Sequence, residues 1–293
     1  MKTHTSQNIS DMRIPIDNNL TWYDRIWAAL IFFTRLPFWR IHQPKKEAYE
    51  TVVEHWPLTG WLTGGIMALT LYLAGTYVNF PFGIIAAITV RILLTGALHE
   101  DGLADFFDGF GGGGHDRERI LTIMKDSHIG TYGVLGLILY TTILYQALYA
   151  LNSPTTAALT ILIADPFCKI LAGQLILWLP YARSAEDSKN GVVYRRFGIR
   201  AGISLALQGL LPVGLLMLLA YYGPLQPLLQ GEHIAFYYES FAFAGLCFFA
   251  LYSLLLRRIH GYTGDCCGAV FLLTELCFYI TTALYYSLRF TTT

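Results

Sequence analysis

Charge is scarce in this chain. Asp, Glu, Lys and Arg make up 14% of the 293 residues, hydrophobic residues reach 54% and the mean hydropathy is +0.45. Ordinary soluble domains carry roughly 25% charged residues, so a soluble domain is excluded and an integral membrane protein is expected. The 20 basic and 20 acidic residues cancel. Nothing therefore points to nucleic acid, and only the placement of the charges is informative. Cysteine is sparse too: Cys168, Cys247, Cys266, Cys267 and Cys277 lie in or beside apolar windows without C-x-x-C or Cys/His zinc spacing. They read as small hydrophobes. The first twenty residues are polar, with Asp11, Arg13 and Asp17, and lack the apolar core of a secretory leader. No repeat, low-complexity tract or linker sets off a second domain, so residues 1–293 are taken as one integral membrane domain with a polar tail over 1–21.

What is present is a series of apolar windows, each about twenty residues long and able to cross a hydrocarbon core of ~30 Å. They run from Trp56 to Val78, Pro81 to Leu98, Gly130 to Leu151, Thr155 to Leu179, Ile199 to Tyr222, Ile234 to Leu256 and Cys266 to Leu288. The expected fold class is all-α: a polytopic membrane helix bundle of about seven transmembrane helices. Ahead of them, Trp22 to Trp39 is apolar and aromatic but interrupted by Asp24, Arg25 and Arg35, with Pro37 ending it. It is expected as an interfacial helix, on the membrane surface or beneath the bundle. Trp56, Trp178 and Tyr181 are expected as interfacial anchors.

Basic residues test the topology, because cytoplasmic loops retain Lys and Arg. With the N-terminus inside, the outer segments Asn79 to Phe80, Asn152 to Pro154 and Gly223 to His233 contain neither. The inner segments hold Lys2, Arg13, Arg25, Arg35, Arg40, Lys45 and Lys46, then Arg117, Arg119 and Lys125, then Arg183, Lys189, Arg195 and Arg196. This predicts a multi-pass membrane protein, in contact with lipid, whose segment 99–129 faces the cytoplasm.

That segment gathers the acidic charge in HEDGLADFFDGFGGGGHDRER, His99 to Arg119. If the helix continues past Leu98, Asp101, Asp105 and Asp108 fall at i, i+4 and i+7 on one face. Carboxylates so crowded repel one another, and a divalent cation removes the cost. Oxygen-only donors select hard ions, and magnesium on a few carboxylates leaves positions for water and substrate phosphate. Gly102 and Gly109 share another face and suggest close backbone approach. Gly111 to Gly114 are expected to break the helix and present amides to an anion, with Asp116 capping a turn that carries Arg117 and Arg119. Metal, amides and arginines would meet on a diphosphate. The plainer alternative is a solvated acidic loop with a glycine hinge.

LHEDGLADFFDGFGGG (Leu98 to Gly113), followed by RERILTIMKDSHIGTYG (Arg117 to Gly133), resembles the cobalamin synthase family, the adenosylcobinamide-GDP ribazoletransferases. FFTRLP (Phe32 to Pro37) and GYTGDCCGA (Gly261 to Ala269) with Glu275 are similar to further motifs of that family. The resemblance implies that adenosylcobinamide-GDP reacts with alpha-ribazole, or its 5'-phosphate, to give adenosylcobalamin or its phosphate and GMP, with magnesium as cofactor. It implies metal ligation by Asp101, Asp105 and Asp108, with Asp126 as a fourth ligand. His99 or an unligated aspartate would take the hydroxyl proton, although His99 also reads as a locally bonded helix-end histidine. Substrate contacts would fall to Gly102, Gly109, Arg117, Arg119, Lys125, Ser127, Lys169 and Asp265. Arg117 and Arg119 read equally as positive-inside anchors, and Asp265 as a helix cap. His128 and Lys169 stand where the family commonly has arginine.

Arg91, Asp165, Lys169 and Glu275 fall within predicted crossings, where charges normally face the bundle interior. Asp165 and Lys169 are spaced to pair, beside Pro166, and Arg91 is free to pair with Glu275 or Asp165. Either an ionic clamp or recognition of corrin amides follows. Two other function classes remain open: a CDP-alcohol phosphotransferase acting on lipid, although its D-x-x-D-G-x-x-A-R spacing is absent, and a divalent-cation transporter, although transport favours acids at the midplane. The sequence leaves association into a homo-oligomer open.

Overall fold

The computed structural model describes residues 20–183, 194–195, 198–222 and 235–290. The polar tail through residue 19, the basic residues Lys2, Arg13, Lys189 and Arg196, and the far-side loop after Tyr222 lie outside the described residues. Among the described residues helices are joined by turns and irregular segments, and the one β pairing is an isolated bridge between Tyr181 and Tyr262. Its helices are α1 (Trp22–Phe33), α2 (Trp56–Tyr77), α3 (Phe80–Thr95), α4 (Leu98–Gly112), α5 (Arg117–Lys125), α6 (Thr131–Tyr149), α7 (Pro154–Trp178), α8 (Ile199–Tyr222), α9 (Ala235–Arg258) and α10 (Gly264–Phe290). Two 3-10 helices, Phe38–Arg40 and Lys46–His55, connect α1 to α2.

Among the described residues six helices are long and apolar enough to cross a membrane. The seventh predicted crossing is built differently. Its helix, α3, has 16 residues, about 24 Å at 1.5 Å per residue, and a 91° bend separates it from α4. Gly96 makes the bend by adopting φ +65°, where glycine carries no Cβ penalty. Ala97 follows at φ 58°. The acidic helix is thus not a continuation of the second crossing but a separate helix lying across the end of the bundle.

Helix starts follow ordinary capping rules. Thr21 and Asp24 form a capping box on α1, Asn79 accepts the Phe82 amide at 2.9 Å on α3, and Ser153 caps α7. The helix expected at the interface, α1, ends at Phe33, short of the expected Trp39, because the chain turns to bond α3: the Arg35 amide donates to the Leu94 carbonyl at 2.7 Å. Small residues bring helices together. A Cβ on Gly64 would sit 2.8 Å from the Asp165 Cβ on α7, and one on Gly83 would sit 2.5 Å from the Gly75 nitrogen on α2. Outward faces of α8 and α9 expose Leu207, Leu211, Leu218, Leu246 and Phe249, side chains that suit lipid.

The buried charges form two clamps. Arg91 of α3 donates to Glu275 of α10 at 2.6 Å and to the Tyr140 hydroxyl of α6 at 2.7 Å, while the Tyr279 hydroxyl donates to Glu275 at 2.8 Å. On α7, Lys169 pairs with Asp165 and donates to Thr63 of α2 at 2.9 Å. Pro166 lies between them, inside a helix that continues past it. Of the two partners open to Arg91 in the sequence, the fold selects Glu275.

The start of α2, the ends of α3 and α7 and the start of α10 are gathered at one end of the bundle. Ala182, after α7, donates its amide to the Tyr262 carbonyl at 2.8 Å, and Tyr262 donates to the Pro180 carbonyl at 3.0 Å. α4 and α5 lie at this same end, where Gly102 of α4 backs onto Asp265 of α10 and Arg117 of α5 donates to the Ala182 carbonyl.

Candidate active site

A cleft of about 130 Å³ opens where the start of α4 meets the starts of α2 and α10 and the end of α1. One wall is a set of near-parallel rings. Phe33 and Trp56 lie 5.1 Å apart at 9°, and Trp56 and His99 lie 5.8 Å apart at 14°. Phe271 packs edge-on to His99 at 4.9 Å. Asp101 and Asp265 supply the carboxylates of the lining, and Tyr194 completes it. Burial pushes the Tyr194 phenol well above its ordinary range, which keeps it a neutral hydroxyl.

Two polar atoms in this wall have no hydrogen-bond partner. They are Trp56 Nε1 and His99 Nε2, on residues that are 1% and 3% exposed. Buried donors and acceptors are ordinarily satisfied, which sets these two nitrogens apart from most of the interior.

A larger, shallower hollow of about 410 Å³ lies on α5 and the segment after α7, lined by Arg117, Glu118, Leu121, Thr122, Lys125 and Arg183. Arg183 links it to the cleft: its guanidinium reaches Asp265 at 4.0 Å and the Leu121 carbonyl at 3.1 Å. The carboxylates and the basic hollow are therefore contiguous.

The predicted residues divide between these places. Asp101 lies exposed at the cleft, and Asp105 follows one turn along α4, partly buried. Asp108 is elsewhere. Its two carboxylate oxygens accept the Gly130 amide at 2.7 Å and the Gly133 amide at 2.8 Å, so it caps α6 from within the protein. Asp126 is exposed and holds the His128 amide at 3.0 Å and its ring Nδ1 at 2.7 Å, with Ser127 exposed between them. Among the described residues no three His, Cys, Asp or Glu side chains converge as a metal cage. The oxygen donors at the cleft fit magnesium in its usual mode, with one or two carboxylates and the remaining positions left to water and phosphate.

Several placements correct the sequence expectation. Gly102 and Gly109, expected at substrate, are buried against protein. A Cβ on Gly102 would meet the Asp265 carbonyl oxygen at 2.9 Å, and the space over Gly109 is taken by Met124. The four glycines do not all break the helix, since α4 runs through Gly112 and only Gly114 turns left-handed, at φ 61°. Arg117 is engaged by backbone, donating to the Ile259 carbonyl at 2.9 Å and the Ala182 carbonyl at 2.6 Å. Lys169 is 1% exposed in its clamp, 4.5 Å from the Phe271 ring centroid. Asp116 does cap α5, accepting the Glu118 amide at 2.9 Å, and leaves Arg119 exposed. Asp265 sits in the first turn of α10, where Thr263 rather than Asp265 accepts the Cys266 amide, at 3.3 Å.

Sequence reasoning missed Phe33, Trp56, Tyr194 and Arg183. Trp56 had the signature of an interfacial anchor, but it is buried. The available signal was FFTRLP: Phe32 and Phe33 line the cleft, and the Arg35 side chain packs on Gly96 at the α3–α4 corner.

The family model described as cobalamin-5-phosphate synthase matches residues 25–283. An adenosylcobinamide-GDP ribazoletransferase of Shewanella baltica (strain OS185) is 31% identical over 88% of this chain and 93% of its own length. One from Shewanella sp. (strain ANA-3) is 32% identical over the same shares. No solved structure matches. With the match spanning α1 through most of α10, the chain belongs to the cobalamin-5-phosphate synthase family.

Proposed function

We propose that this protein joins adenosylcobinamide-GDP to alpha-ribazole, or to its 5'-phosphate, forming adenosylcobalamin or its phosphate and releasing GMP. The observation that carries the reading is the cleft itself, in which Asp101, Asp265 and the unpartnered His99 Nε2 meet beside a basic hollow. A ribazole hydroxyl oxygen attacks the phosphorus on the cobinamide side. The bond from that phosphorus to the bridging oxygen breaks, and GMP leaves with the electron pair. His99 would accept the hydroxyl proton, its Nε2 being buried without a protein partner. Arg183 and Lys125, lining the hollow, suit the phosphates, and Asp265 holds Arg183 in place. Such chemistry depends on positioning and charge neutralisation.

Asp101, paired with either Asp265 across the cleft or Asp105 one turn along α4, would hold magnesium through two carboxylates. When bound, the ion would offset charge on the diphosphate. Asp108 is reassigned from ligand to helix cap, because its oxygens already serve α6. The predominance of Lys and Arg in the segments beside the cleft supports a cytoplasmic site in a bacterial inner membrane. Membership of the family favours this transferase over a CDP-alcohol phosphotransferase or a cation transporter.

Purified full-length protein in detergent should release GMP from adenosylcobinamide-GDP only with alpha-ribazole present, and EDTA should stop it until magnesium is restored. CMP release from a CDP-lipid would favour the phosphotransferase instead.

A further inference from the structure

A groove of about 500 Å³ lies away from the cleft, between α6 and α10, and the chemistry proposed above does not use it. Tyr132, Leu135, Leu139 and Ile143 recur along one face of α6 to form its long wall, all of them exposed, and α10 adds Leu273. Phe107 and Phe110 of α4 also line it, and Gly136 of α6 gives Phe107 the room to seat there. Because α4 lies across the site end of the bundle, the groove begins at that end and runs towards the middle of the spanning helices.

Its dimensions select the occupant. The rise from Tyr132 to Ile143 is about 16 Å, the depth of one leaflet of a ~30 Å hydrocarbon core. Spread over that length, about 500 Å³ gives a mean cross-section of about 30 Å². A helix from a second copy, about 10–12 Å across, is too thick. A single extended hydrocarbon chain is the right gauge.

Charge beside the groove selects the headgroup. The last turn of α9 carries Arg257 and Arg258, and the Arg258 guanidinium stands 5.8 Å from the centre of the Phe110 ring. Among the described residues no carboxylate pairs with Arg258. The first turn of α6, which holds Tyr132, has no acidic residue. A phosphate seated by Phe110 would meet that guanidinium, the contact that anionic lipids make with basic residues at a membrane surface.

We propose that this groove is a binding site for one anionic phospholipid, with an acyl chain lying along α6 and the phosphate on Arg258. The lipid packs against Phe107 and Phe110, on the same helix as Asp101 and Asp105, and so braces that helix against α6. The inference stands independently of which reaction the protein catalyses.

Full-length protein in detergent is given an equimolar mixture of phosphatidylglycerol and phosphatidylcholine with identical acyl chains, and the lipid retained is counted by native mass spectrometry. One phosphatidylglycerol per chain is expected, preferred about fivefold over phosphatidylcholine, the contribution of one basic residue near a lipid surface. Arg258→Gln should remove the preference while a lipid still binds. Leu139→Trp and, separately, Ile143→Trp put bulk into the groove at exposed positions and should cut retention of both lipids roughly tenfold. Added phosphatidylglycerol should raise the melting temperature of the wild-type protein, by mass action, and not that of Leu139→Trp. Equal retention of the two lipids by wild type, a preference that survives Arg258→Gln, or retention untouched by both tryptophan variants would each overturn the assignment. So would a dimer lost in Leu139→Trp with lipid binding unchanged, which would give this face to a second copy of the chain.

Discussion

Asp108 shows how a single residue changes meaning once its surroundings are known. In the sequence it is the third aspartate of a stripe, interchangeable with Asp101 and Asp105 by spacing alone. In the fold, Gly130 and Gly133 approach so closely that only their lack of side chains admits its carboxylate, and their amides bind both oxygens. Charged hydrogen bonds of this kind contribute about 1.5–3 kcal/mol each. Asp108→Ala should therefore lower stability by roughly 3 kcal/mol or more, read as a fall in melting temperature in detergent, with activity of the remaining folded protein retained. A variant that melts like wild type but is inactive would return Asp108 to the chemistry. His99 moved the other way: a helix-end position gave no reason to prefer a catalytic reading, whereas a buried ring with an unpartnered nitrogen beside a cleft does.

At the scale of elements, the crossings were legible because each is a long apolar run, and the boundaries of α6, α7 and α8 fall within a few residues of those read from hydropathy. The α3–α4 corner was not legible. Hydropathy carries no record of direction, and TGALH reads as an uninterrupted helix with one tolerable glycine, yet Gly96 and Ala97 turn the chain by 91°. That bend lays α4 across the bundle end, and Gly102 then lets the start of α10 approach. The glycine pattern signalled close approach correctly, but the partner is a helix rather than a substrate. Gly102→Ala should push α10 away from α4, costing about 1–3 kcal/mol and displacing Asp265 from Asp101. The check is a joint fall in melting temperature and in kcat, since an effect on stability alone would detach this contact from the site.

For the whole molecule, the fold holds its functional end together by charges placed deep among apolar helices. Arg91 is 2% exposed and bridges α3, α6 and α10 through Tyr140 and Glu275, with Glu100 of α4 at 3.9 Å. Removing one partner leaves the other charge buried and uncompensated, so Glu275→Ala is expected to destabilise the bundle by roughly 3–5 kcal/mol. Arg91→Leu combined with Glu275→Leu should recover much of that loss. Failure of the pair to recover stability would mean that one of these charges serves substrate instead. Sequence identified Arg91, Asp165, Lys169 and Glu275 as intramembrane charges and paired Asp165 with Lys169, but left Arg91 open between Glu275 and Asp165, because pairing across helices depends on rotations that no linear pattern records.

The central claim is that the carboxylates of α4 at the bundle end carry the transfer chemistry. GMP release from adenosylcobinamide-GDP, measured with full-length Asp101→Asn and Asp105→Asn protein whose melting matches wild type, tests it most directly. The account predicts a loss of about 10²-fold or more in kcat for each variant. Activity within twofold of wild type in both would contradict it.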